Sequence, residues 1–125
     1  MSRKARIAVL VSGGGTNLQA ILDASARGEI PDGEVTMVIS DRLGTYAMER
    51  AAKAGIPGLE INKKACSSQK AFEGKLVEAL EKNRTDLIVL AGFLSILTED
   101  FTTLYAGRII NVHPSLIPSF CGAGY

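Results

Sequence analysis

Short apolar runs rich in β-branched residues alternate along this chain with stretches whose apolar positions recur every three or four residues. The first pattern marks strands buried on both faces of a parallel sheet, and the second marks helices with one buried stripe. Ile7–Val11 predicts a first strand that ends at Ser12. Leu18, Ile21, Leu22 and Ser25 then give a following helix an apolar or small face, which Gly28 closes. Val35–Ile39 and Tyr46–Ala54 repeat the strand and helix, with Gly55 as the stop signal. Gly58–Ile61 predicts a short third strand. Ser68–Asn83, with Phe72, Leu76, Ala79 and Leu80 on one stripe, predicts an amphipathic helix. Leu87–Ala91 is a fourth, fully apolar strand; Glu99–Tyr105 makes a short helix and Arg108–Val112 a fifth strand. Strict alternation implies right-handed crossovers and an α/β, doubly wound, mainly parallel Rossmann-like sheet within one domain.

Composition narrows the partners. With 46% hydrophobic and 22% charged residues, the 125-residue chain can form an ordinary core. Fourteen basic against thirteen acidic side chains leave a net charge of +1, too little positive potential for a phosphate-backbone binder, so nucleic acid is not expected. No stretch approaches the roughly 20 apolar residues that span a bilayer, so no membrane partner is expected either. Cys66 and Cys121 form no C-x-x-C or His/Cys cluster; both read as free thiols, and no metal is expected. The basic start runs into an apolar stretch too short for a signal peptide, which makes the expected location cytoplasmic.

Two connections carry candidate chemistry. Ser12-Gly13-Gly14-Gly15-Thr16-Asn17-Leu18 joins the first strand to the first helix. Three glycines permit positive φ and close backbone approach, and the helix start offers unpaired N–H groups at its positive dipole end. The loop lacks the glycine of the dinucleotide fingerprint, where Leu18 stands, and the Gly-Lys-Ser/Thr of the P-loop, so a single phosphate monoester is its simplest tenant. The alternative is a glycine turn that merely packs helix on strand. The chain's one histidine lies in Asn111-Val112-His113-Pro114-Ser115-Leu116-Ile117-Pro118. In an extended segment Asn111 and His113 share a face, roughly 6.5 Å apart, and Pro114 stops the strand after them. An amide donor and an imidazole then stand at a strand's C-terminal end, where open α/β sheets bind ligands. A lone histidine is otherwise a surface or packed core residue.

Read together, the two motifs and the segment Leu90-Ala-Gly-Phe-Leu-Ser-Ile-Leu97 resemble the N-terminal part of the phosphoribosylglycinamide formyltransferase family over nearly all of residues 6–125. The His-Pro motif is similar to one shared with methionyl-tRNA formyltransferases and formyltetrahydrofolate deformylases; the glycine loop resembles the ribonucleotide phosphate site. The resemblance implies formyl transfer from 10-formyltetrahydrofolate to the amine of glycinamide ribonucleotide, in purine synthesis. It implies that Gly13, Gly14, Gly15, Thr16 and Asn17 hold the substrate phosphate, that Gly92 lies near the substrate, and that Leu94, Ser95, Ile96 and Leu97 bind the pterin. Asn111 would donate to the oxyanion and His113 would donate or shuttle a proton. Ser95 and Gln69 stand where relatives carry arginines toward the folate. The implied third catalytic residue, an aspartate in an Asp-x-Gly loop beyond the His-Pro motif, is not among Asp41, Asp86 and Asp100, and the sequence ends at Tyr125 before such a loop. The expectation is therefore a truncated enzyme that binds ligand at most weakly. Two readings stand beside it: a non-catalytic phosphate- or nucleotide-binding α/β module, and a formyltetrahydrofolate deformylase, which a regulatory domain normally precedes.

Overall fold

The computed structural model describes residues 4–14, 16–30 and 32–112. Five parallel strands, β1 (Ala5–Val11), β2 (Gly33–Ser40), β3 (Gly58–Glu60), β4 (Leu87–Ala91) and β5 (Ile109–Val112), form one sheet in the order β3-β2-β1-β4-β5. Helices α1 (Thr16–Ala26), α2 (Tyr46–Lys53), α3 (Gln69–Lys82) and α4 (Glu99–Leu104) follow β1 to β4 in turn. The doubly wound parallel sheet is therefore as expected. Boundaries move by a residue or two: Arg108, for example, does not open β5 but donates its N–H to the Tyr105 carbonyl, closing the turn after α4. A 3-10 turn over Lys63–Ala65, capped by the Asn62 side chain, adds one element with no periodic signature.

Alternation along the strands divides the core. Val9, Val11, Val38, Val89 and Ala91 face α1 and α2, whose Leu18, Leu22, Ala47 and Ala51 complete one cluster. Ala8, Leu10, Ile39 and Ile88 face the other way and meet Phe72, Leu76 and Leu80 of α3, with Phe101 and Tyr105. Burying side chains of this size stabilises by about 1.5–3 kcal/mol each, which fixes both layers to the sheet. The predicted α3 stripe is wholly buried. Its start is set by Ser68, whose hydroxyl accepts from the Ala71 N–H at 3.0 Å.

Because the chain runs outward from β1 to β3 and then returns to β4 on its other side, the loops after β1 and β4 diverge at the carboxyl edge. That is the switch point at which such sheets open a crevice.

Candidate functional site

The loop after β1 is nearly bare. Gly13 and Gly14 are exposed, and a Cβ added to either would meet no atom within 4 Å. Neither has the positive φ expected from the sequence; among the described residues of the two loops only Gly92, at 70°, does. Glycine here therefore leaves space over the backbone rather than permitting a left-handed turn. Gly15 lies outside the described residues. Thr16 opens α1 and is exposed, and Asn17 is half-buried, its Nδ2 3.6 Å from the Cβ position at Gly92. A Cβ at Gly92 would meet that amide at ordinary contact distance, so it is the positive φ that makes a side chain there strained.

Arg50 supplies what the sequence did not disclose. From α2 its Nε donates to the Gly14 carbonyl at 2.8 Å and its Nη1 to Gln19 Oε1 at 2.9 Å, while the guanidinium lies 4.7 Å from the Tyr46 ring centre. The Gly14 carbonyl is thereby held toward α2.

The second loop alternates inward and outward. Phe93 and Leu97 pack on the α3 cluster, whereas Leu94 and Ile96 are 69% and 77% exposed. Leu97, expected at the ligand, is therefore at least partly a packing residue. The exposed pair is not left loose. Leu94 N–H donates to Ser12 Oγ at 2.7 Å, Ser95 Oγ donates to Asp41 Oδ2, and Gln69 Nε2 donates to the Ile96 carbonyl at 2.9 Å. Ser12 is fully buried, so its bond ties the two loops together across the switch point. Gln69 also donates to Glu73 Oε2 at 2.8 Å, and the Thr98 N–H and hydroxyl donate to Glu73 at 2.7 and 2.6 Å. Burial alone would raise the Glu73 pKa, but those hydrogen bonds, with Lys63 nearby, outweigh it and hold the carboxyl below its ordinary value.

A cleft of about 720 Å³ opens beside this loop, lined by Leu94, Ser95 and Ile96 on one wall and by Arg42, Lys63 and Lys64 on the other. Its size suits a small organic molecule, and its walls suit one with an apolar ring and acidic groups. A second cleft, about 570 Å³ between β3 and α3, is mainly apolar and touches neither loop.

Leu10 pairs with Leu90 and Leu90 with Asn111, so these residues form one row across β1, β4 and β5. Two strand spacings, about 10 Å, separate Asn111 from Leu10. Asn111 is exposed at the carboxyl end of β5. His113 and the residues after it lie outside the described residues. Among the described residues no group of three or more His, Cys, Asp or Glu is placed to hold a metal, and no helix is long and apolar enough to cross a membrane.

Comparison with known proteins agrees with the fold. The formyl transferase family profile matches residues 5–124. The phosphoribosylglycinamide formyltransferase of Haemophilus influenzae is 44% identical over 117 residues, covering 94% of this chain and 55% of that protein. The trifunctional purine biosynthetic protein adenosine-3 of Drosophila melanogaster is 44% identical over 123 residues, 96% of this chain but 9% of that protein. The crystal structure of glycinamide ribonucleotide transformylase 1 from Symbiobacterium toebii superposes with a TM-score of 0.85 at 44% identity, covering 96% of this chain and 56% of that one. The chain thus spans about half the length of its single-function relatives.

Proposed function

Because this chain belongs to the formyl transferase family, we propose that it forms the N-terminal part of a single phosphoribosylglycinamide formyltransferase domain: the phosphate-binding half and the start of the catalytic region. The reaction moves the formyl group of 10-formyltetrahydrofolate to the amine of glycinamide ribonucleotide. Both partners are small molecules, and the setting is cytoplasmic one-carbon metabolism.

The observation that supports this reading is the Ser12–Leu94 hydrogen bond, which brings a bare glycine loop beside a loop bearing exposed apolar side chains; in this reading the two loops serve one site. The first loop suits a phosphate: Gly13, Gly14, Gly15, Thr16 and Asn17 offer N–H and polar side-chain donors at a helix start. The second suits a flat ring system, with Leu94 and Ile96 against one face. Asn111 stands about 10 Å from Leu10 near the end of β1, on the scale of a ribose phosphate carrying its glycinamide group.

In the reaction the amine nitrogen attacks the formyl carbon, the carbonyl electrons move to oxygen, and collapse of that tetrahedral species breaks the bond to folate N10. The amine loses a proton and N10 gains one. Asn111 donates its amide N–H to the oxygen as charge develops, and the imidazole of His113, a side-chain type that exchanges protons near neutral pH, carries the proton.

The test is formyl transfer by the protein containing this chain. Formylglycinamide ribonucleotide is expected as product, and Asn111→Ala is expected to lower turnover by about 100-fold with the fold intact. Formate release that ignores the ribonucleotide would favour the deformylase, and phosphate-ligand binding without either product would favour the binding module.

A further inference from the structure

We propose that Asp41 is a positioning residue for residues 94–97, acting through the Ser95 hydroxyl, and that Gln69 completes the same clamp by holding the Ile96 carbonyl. The consequence for folate rests on the function proposed above; the clamp itself does not.

Asp41 has a rigid seat. Its N–H donates to the Val11 carbonyl at 3.2 Å and its carbonyl accepts from the Lys63 N–H at 3.1 Å, so it is fixed between the end of β1 and the 3-10 turn. It is 4% exposed, and its Oδ2 receives Ser95 from 54 residues away. Its Oδ1 has no hydrogen-bond partner among the described residues, and Arg42 Nε stands 3.9 Å from it. A carboxylate oxygen left unbonded at that depth is unfavourable for stability, so the placement of Asp41 is better explained by the geometry it imposes on Ser95.

That geometry has a specific effect. With Ser95 drawn inward, Leu94 and Ile96 on either side must point outward. Unheld, two side chains this apolar would gain by folding back onto the protein. Gln69 adds a second hold, its amide oriented by Glu73. The two positions at which the resemblance leads one to expect arginines thus contribute neutral contacts that set the shape of the loop. The cations of the cleft come instead from Arg42, Lys63 and Lys64. A ligand that needs the outward arrangement binds in proportion to the fraction of molecules that hold it.

Amide hydrogen exchange of the purified protein reads the clamp without any ligand. In Asp41→Ala and Ser95→Ala, exchange at the hydrogen-bonded Leu94 and Thr98 amides is expected to rise about tenfold or more while the β1 and β4 amides keep their protection; Asp41→Asn, whose amide oxygen still accepts, should stay within about threefold of the parent. Should Asp41→Ala not fold, Ser95→Ala carries the test alone. In the formyl-transfer assay the KM for 10-formyltetrahydrofolate should rise by the same factor of about ten, with kcat within about twofold. Unchanged loop exchange in folded variants would overturn the proposal. Faster loop exchange in the variants, together with a parent protein that binds no folate, would support the clamp and refute the proposed function.

Discussion

The two loops at the carboxyl edge of the sheet are built on opposite plans. Gly13 and Gly14 carry no side chain over an open face, and their loop is held by Arg50 at the Gly14 carbonyl and by the buried Ser12. Residues 93–98 present large apolar side chains and are held by contacts from three other elements: Ser12 after β1, Asp41 after β2, and Gln69 and Glu73 of α3. A site that binds through backbone N–H groups needs empty space, which glycine supplies without further support. A site that binds through exposed hydrocarbon must stop that hydrocarbon from burying itself, which takes anchors. The first loop should therefore be tolerant in stability and fragile in binding, and the second should depend heavily on its support.

The largest expected effect removes support. Phe72, one residue from Glu73 and fully buried, should cost about 3–5 kcal/mol on Phe72→Ala, read by denaturant titration. Gly13→Asp tests the opposite property. Its Cβ meets nothing and its φ is ordinary, so the melting temperature should hold. A carboxylate beside the phosphate should nonetheless weaken glycinamide ribonucleotide binding by about 100-fold, about 2.7 kcal/mol in calorimetry. A large loss of stability there would show that the loop is structural after all.

Glu73→Gln comes next. It replaces one accepting oxygen by an amide that faces the Thr98 donors, at a cost of about 1–3 kcal/mol. Since the native pKa is held below the ordinary 4.5, the wild-type contribution is present above that value and is lost as pH falls through the native pKa. The melting-temperature gap between Glu73→Gln and the parent should accordingly be constant near neutrality and narrow below about pH 4.5. Smallest is Arg50→Ala: less than about 1 kcal/mol in stability, because the bond is exposed, with a modest loss of phosphate affinity as the Gly14 carbonyl is released.

What the sequence disclosed follows from range. α3 was legible almost to the residue because a Ser cap, an apolar stripe and an Asn end all lie within one segment. The sheet was legible because continuous β-branched runs have few other uses. The anchors were not, since Asp41 meets Ser95 across 54 residues and Arg50 meets Gly14 across 36, and no local pattern encodes such pairs. Glu73 did leave a sign: it lies at helical spacing from Leu76 and Leu80, and a carboxylate on a buried stripe requires partners. Gln69 shows what resemblance leaves out. The sequence assigned it to the folate, and the structure places its amide on Glu73 and the Ile96 carbonyl.

The central claim is that the glycine loop and the 93–98 loop serve one crevice, and amide chemical-shift mapping tests it most directly. Glycinamide ribonucleotide should shift Gly13, Gly14, Thr16 and Gly92, and a non-formylating folate analogue should shift residues 94–97, with Ser12 and Asn17 responding to both. Shifts from either ligand confined to the apolar cleft between β3 and α3 would contradict it.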